Sequence, residues 1–111
     1  MTEYQPSLIP VTAMDQIPKT TPIMPAITVY GPHECPNCAK AMELLARKGI
    51  PATKIDLTPG DENHRFVMSL GYTVAPVVVV ELDGGTALHW GGHRLDLLLT
   101  LMRLCAAIPT V

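Results

Sequence analysis

The sequence lacks any apolar run approaching the ~18 residues that a membrane-crossing helix requires, so no membrane span is expected. It also lacks a basic cluster: charged residues are 16% of the chain and the formal net charge is −2. That balance argues against nucleic acid or an acidic membrane surface as the main partner. The N-terminus has no basic segment followed by a continuous apolar stretch, so a secretory signal is not expected either. Cysteine is scarce and odd in number, with three in 111 residues, which speaks against a fully paired secreted framework. The expected compartment is the cytoplasm, where a closely spaced cysteine pair cycles rather than staying oxidised. No internal repeat or low-complexity tract interrupts the chain.

What the chain does have is enough apolar content, 48%, to build the core of one domain. Within it, Cys35-Pro36-Asn37-Cys38 forms a C-x-x-C placed directly after a strand-like run, Ile27-Thr28-Val29-Tyr30, and a Gly31-Pro32 break. Cys38, Met42, Leu45, Ala46 and Gly49 then fall on one face of a helix. A thiol in the first helical turn faces unpaired backbone N–H groups and the positive end of the macrodipole, which favours its thiolate. A second thiol three residues on can close a small disulfide with it. That is the layout of a dithiol exchange catalyst, whose only redox group is the Cys35–Cys38 pair and which needs no separate cofactor.

The competing reading of C-x-x-C is half of a zinc site. Zinc sites are typically four-coordinate and often draw on two separated ligand pairs. Here the only other cysteine is Cys105, and His33, His64, His89 and His93 show no paired spacing. His33, Cys35 and Cys38 with Cys105 or His93 would be the ligand set. The neighbouring βαβ pattern favours redox chemistry, and no metal is expected. A metal- or cluster-binding module on the same fold remains the alternative of another class.

The prolines at positions 6, 10, 18, 22 and 25 recur too often for a helix or central strand, so residues 1–25 read as an extended arm. Leu8, Ile9, Val11, Ile17 and Ile23 make it more apolar than a typical linker, and packing along the domain is the alternative. From residue 26 the pattern becomes regular. Strands are expected over Ile27–Tyr30, Ala52–Asp56, Pro76–Val80 and Thr86–Trp90, with a hairpin turn at Asp83-Gly84-Gly85. Helices are expected over Pro36–Lys48 (stopped by Gly49), over Glu62–Leu70 (capped by Asp61, stopped by Gly71), and along Leu95, Leu98, Leu99, Met102 and Cys105. The expected fold is α/β: a four-stranded mixed sheet in the order βαβαββα, flanked by three helices, in a domain of residues 26–111.

In this arrangement the chain resembles the thioredoxin superfamily in its short glutaredoxin-like form, and among those the NrdH-redoxins. The residues carrying the resemblance are the strand ending in Val29-Tyr30, the C-x-x-C, Lys54-Ile55-Asp56 and Val67-Met68-Ser69-Leu70-Gly71-Tyr72. Ala75-Pro76-Val77-Val78 and Trp90-Gly91-Gly92-His93-Arg94 complete the set. The resemblance implies a thioredoxin/glutaredoxin-like fold and a monomeric electron donor, reduced by thioredoxin reductase and delivering electrons to ribonucleotide reductase. It makes Cys35 the attacking thiol, Cys38 the resolving thiol and Pro76 a cis-proline that exposes the backbone at Ala75 for pairing with a substrate chain. His33, Pro36, Ala75, Pro76, Trp90, Gly91, Gly92, His93 and Arg94 become the expected substrate- and partner-binding residues.

Two departures from that pattern matter. NrdH-redoxins usually carry lysine three residues before the first cysteine, where this chain has Pro32. A cation that would help the thiolate is therefore missing there, and Glu34 opposes it. Helix-end effects of ~0.3–1 kcal/mol still favour a depressed Cys35 pKa. The second departure is Trp90-Gly91-Gly92-His93-Arg94. Gly-Gly before a helix is also the glutaredoxin pattern, in which the helix N-terminus holds a glutathione carboxylate, and Arg94 would strengthen such an anion site. Pro36 leans the same way, whereas Ala75 before Pro76 follows NrdH-redoxins. Thioredoxin reductase is the expected reductant and glutathione the alternative. Phe66 and Tyr72 are expected in the core or at the rim of the groove, and Trp90 either under the Gly-Gly loop or on a docking surface. Cys105 is expected to be an inert core thiol.

Overall fold

The computed structural model describes residues 7–18, 25–82 and 85–106. Along the chain lie β1 (Ser7–Pro10), a single 3-10 turn (Met14–Gln16), β2 (Ala26–Gly31), α1 (Pro36–Arg47) and β3 (Ala52–Asp56). Then follow α2 (Glu62–Ser69), β4 (Val77–Leu82), β5 (Thr86–Gly91) and α3 (Leu95–Ala106). The four valines of β4 are all buried, because this strand is covered on both faces and has neighbours on both edges. β-branched side chains fit such a pleated surface, and a continuous run suits a strand with no solvent face.

The sheet order is β1-β5-β4-β2-β3. β2 pairs in parallel with β3, as a strand–helix–strand unit requires, and antiparallel with β4; the β4–β5 hairpin is antiparallel too. Alternation along each strand divides the apolar residues between two layers. On one face Val29, Val78, Val80, Leu88 and Trp90 meet Leu45 of α1 and Leu97 and Leu101 of α3. On the other, Val77, Val79 and Ala87 meet Val67 of α2, with Tyr30, Phe66 and Tyr72 packed around them.

Helix limits follow the local chemistry read from the sequence. Pro36 opens α1 at a position whose N–H has no intrahelical partner, and Gly49 closes it at φ +69°. Asp61 caps α2 by accepting from the His64 N–H at 2.7 Å. Of the expected Asp83-Gly84-Gly85 turn, Asp83 and Gly84 lie outside the described residues.

The sheet has five strands rather than the expected four. The extra strand is β1, which runs parallel to β5 with Ser7 opposite Thr86 and Pro10 opposite His89. Ser7 N–H donates to Gly85 O and Val11 N–H to His89 O, so the donors at alternate positions face β5. Pro10 falls on the outward-facing set, where a missing N–H costs the ladder nothing. Beyond the strand, Val11 and Ile17 are 2% and 4% exposed and belong to the main core. The reading of residues 1–25 as an arm is therefore corrected for residues 7–18, which are part of the domain; 1–6 and 19–24 lie outside the described residues.

Truncating a buried side chain in that segment should show its contribution directly. Ile17→Ala is expected to destabilise the protein by about 2–4 kcal/mol, the range for a buried isoleucine losing its side chain. Urea unfolding measures it. A change indistinguishable from zero would mean that the segment adds nothing to the core.

Candidate active site

β2 ends on Gly31 and α1 begins at Pro36, so the short loop Pro32–Cys35 carries the chain from the sheet edge into the helix. Cys35 is the N-cap of α1 and Cys38 lies in its first turn; the two form a disulfide with Cα atoms 5.2 Å apart. The Cys38 N–H donates to Cys35 Sγ at 3.2 Å. That N–H is one of the unpaired donors of the helix start, the kind of group that favours a thiolate over a thiol. Cys38 is 1% exposed while Cys35 is only half-buried, so one sulfur meets solvent and the other does not.

Both sulfurs rest on Gly31. A β-carbon there would overlap Cys38 Sγ and stand 3.2 Å from Cys35 Sγ. The β2–β4 register ends with Tyr30 opposite Val77, which leaves Gly31 and Pro76 adjacent at the ends of their strands. Pro76 is buried and the Ala75–Pro76 bond is cis, as the resemblance implied. The Pro76 carbonyl accepts from the Gly92 N–H at 2.8 Å, tying the loop before α3 to the same corner. Gly92 has φ +89°, a conformation that favours glycine. Gly91 lies against Tyr72, whose ring would stand 2.6 Å from any β-carbon at that position.

Other expected site residues divide between the surface and the interior. His33, Pro36 and His93 are exposed and Ala75 is half-buried. Trp90 is 2% exposed and packed in the main core, so its docking-surface reading is corrected: a buried indole presents nothing to a partner. Cys105 is buried as well, and burial pushes its thiol pKa up. Phe66 packs against Tyr30, ring centroids 5.7 Å apart, and Tyr72 lines an open groove of about 400 Å³ with Pro32, Leu57, Val67 and Ala75.

Arg94 does not stand open as an anion site. Its Nε and Nη2 donate to the two carboxylate oxygens of Asp96 at 3.0 and 2.9 Å, and Nη2 also donates to Thr12 O at 3.0 Å. Arg94 holds the Asp96 carboxyl below its ordinary pKa, helped by the backbone N–H groups of Leu97 and Asp96 itself. The start of α3 thus already has a carboxylate of its own.

Sequence reasoning named Lys54 and Asp56 only as part of a resemblance. In the structure Lys54 Nζ donates to Pro32 O at 3.1 Å, to Gly31 O at 3.4 Å and to Asp56, while His33 Nδ1 lies 3.0 Å from the other Asp56 oxygen. These contacts hold the Asp56 carboxyl below its ordinary pKa, Lys54 contributing most. The available signal was the Lys-x-Asp spacing at a strand end, which puts both side chains on one face. Among the described residues no three His, Cys, Asp or Glu side chains stand together as a metal site. His33 turns to Asp56 and Cys105 lies in the core, so neither joins the dithiol.

A glutaredoxin family model matches residues 27–84. Among solved structures, the chain is similar to the glutaredoxin-like protein NrdH-redoxin from Escherichia coli, at 24% identity and a TM-score of 0.55 over 67% of this chain and 91% of that one. It is also similar to a glutaredoxin from Archaeoglobus fulgidus, at 27% identity and a TM-score of 0.53 over 72% and 88%. Thioredoxin f from spinach chloroplast aligns over 91% of this chain and 88% of its own at 20% identity, with a TM-score of 0.53. No curated protein is matched in sequence.

Beneath Gly91 lies a titratable pair, half-buried Tyr72 and buried His89. His89, 4% exposed, lies on β5 with its Nδ1 2.7 Å from the Tyr72 hydroxyl, and burial lowers its pKa. The unfolded chain takes up a proton at this histidine below about pH 6.5, whereas the folded chain resists it. The resulting stability is complete above that pH and is lost as pH falls, by at most about 1.4 kcal/mol per pH unit. His89→Gln should therefore show a shallower loss of stability between pH 7.5 and 5.5 than the parent protein, read from urea unfolding. Parallel pH profiles would show that His89 contributes no proton uptake.

Proposed function

Because this chain belongs to the glutaredoxin family and is a thiol–disulfide oxidoreductase, we propose that it serves as an NrdH-redoxin-like electron donor. In this reading it is reduced by thioredoxin reductase and delivers electrons to ribonucleotide reductase or another disulfide protein, as a monomer in the cytoplasm. The observation that carries the mechanism is the unequal exposure of the two sulfurs. Half-exposed Cys35 attacks a substrate disulfide as thiolate, forming a mixed disulfide and releasing one substrate thiol. Buried Cys38 then attacks Cys35 Sγ, releasing the second substrate thiol and leaving Cys35–Cys38 oxidised. Two electrons from the reductase restore the dithiol.

The preference for thioredoxin reductase over glutathione rests on charge. A glutathione carboxylate at the α3 N-terminus would compete with Asp96, whose two carboxylate oxygens already take donors of Arg94. Pro32 brings no cation to the other side of the dithiol. In this reading Ala75, Gly91, Gly92 and His93, grouped around the buried Pro76, are the surface offered to a protein substrate, with Ala75 presenting backbone for pairing. His33 and Pro36 flank Cys35 on the same surface. Among the described residues no helix is long and apolar enough to cross a membrane.

Two measurements test this reading. Cys35→Ser should abolish disulfide exchange, whereas Cys38→Ser should accumulate a covalent complex with the target, visible on non-reducing gels. Full turnover by Cys35→Ser would refute the assignment of roles. Oxidised protein should consume NADPH efficiently with thioredoxin reductase and at least tenfold more slowly with glutathione and glutathione reductase. The reverse preference would make the protein a glutathione-dependent glutaredoxin.

A further inference from the structure

The charge environment of Cys35 is set from a different strand than the one that leads to it. The loop before the cysteine runs Gly31-Pro32-His33-Glu34 and contains no permanent cation. Lys54 reaches that loop from β3, where it pairs in register with Val29. Its ammonium caps the carbonyls of Gly31 and Pro32, and Gly31 is the residue on which both sulfurs rest. The side chain is only 22% exposed, so its charge is less screened than that of a surface lysine.

We propose that Lys54 is the cation that tunes the Cys35 thiolate, and that Asp56 sets how much of its charge the thiolate experiences. A positive charge next to a thiol stabilises the thiolate, and a paired carboxylate subtracts from that effect. Asp56 is itself shared, with one oxygen on Lys54 and the other on His33. Among the described residues, other titratable groups on the segments adjoining the loop include Tyr30 at the end of β2, Glu34 beside Cys35, Lys40, Glu43 and Arg47 on α1, Glu62, His64 and Arg65 on α2, Tyr72 before β4 and His93 before α3. None of these hydrogen-bonds through its side chain to the carbonyl of Gly31 or Pro32; that contact is made by Lys54. Lys54 is thus a positioning residue acting by charge on the reacting sulfur, without touching substrate.

Opposite signs distinguish this role from a purely structural clamp. Lys54→Met and Asp56→Asn both break the same ion pair, so loss of a clamp shifts Cys35 the same way in both. The charge role makes Lys54→Met raise the Cys35 pKa and Asp56→Asn lower it, each by about half a unit for partly screened charges. Lys54→Arg should stay near the parent value, and 0.5 M salt should shrink both shifts. The measurement is thiolate absorbance at 240 nm against pH, with the pH dependence of iodoacetamide alkylation, in full-length protein carrying Cys38→Ser.

In the protein with both cysteines, Lys54→Met should favour the disulfide about threefold in a glutathione redox buffer, and Asp56→Asn the dithiol by a similar factor. Same-sign shifts, or none in either variant, would overturn the proposal. If Lys54→Met does not fold, exposed Asp56→Asn decides alone: a lowered pKa supports the charge role, and an unchanged or raised one overturns it.

Discussion

Gly31 ends β2 in contact with both sulfurs of the dithiol, and a β-carbon at that position would overlap Cys38 Sγ. This close approach fixes where α1 can begin, because the helix must start within the short loop that joins the strand to Cys35. It also fixes what lies beside the dithiol. The antiparallel register that carries Tyr30 onto Val77 puts Pro76 next to Gly31, and Pro76 O in turn holds the Gly92 N–H. A strand end, a helix start and the loop before α3 thus meet where one residue has no side chain.

Behind that corner the sheet supplies the rigidity. β4 is buried on both faces and paired on both edges, so its valines anchor Pro76 on one end of an element with little freedom to shift. α1 and α3 cover one face through Leu45, Leu97 and Leu101, and α2 covers the other through Val67. The polar Tyr72–His89 pair sits in that second layer under Gly91, satisfied internally as a buried polar group requires. The dithiol sits at the loops at one end of this sheet, where binding and catalytic groups are commonly carried by a rigid scaffold.

Much of this was legible in the sequence because local and global signals agree. The β2–α1–β3 and α2–β4–β5–α3 order follows from periodicity and from Pro36, Gly49, Asp61 and Gly71 at the helix ends. The placement of Cys35 and Cys38 at the start of α1 follows from the same signals. β1 escaped because Ser7–Pro10 shows no alternation: all four residues are exposed, and the strand is held by backbone pairing to β5 alone. Val11 and Ile17 are buried in a core built from strands and helices far along the chain, which no local pattern records. Trp90 was ambiguous because an indole serves equally in a core or at an interface. The links of Arg94 to Thr12 and of Lys54 to Pro32 join residues remote in sequence through main-chain oxygens, which side-chain identity does not reveal.

The N-terminal segment acquires a different meaning once those links are seen. Thr12 O binds the guanidinium that also holds Asp96, so the turn after β1 helps to orient a charge pair at the start of α3. Gln16 Oε1 accepts from the N–H groups of Thr12 and Ala13 at 2.6 and 3.0 Å, which fixes the turn from within. The segment is thus braced on three sides, by β5, by the core through Val11 and Ile17, and by Arg94. An arginine oriented by a carbonyl and a carboxylate has less charge to offer an incoming anion than a free one. The Asp96 carboxylate in the first turn of α3 already places negative charge at that helix start. The residues before β2 therefore help to orient a charge pair near the opposite end of the chain, through the same sheet edge that they complete.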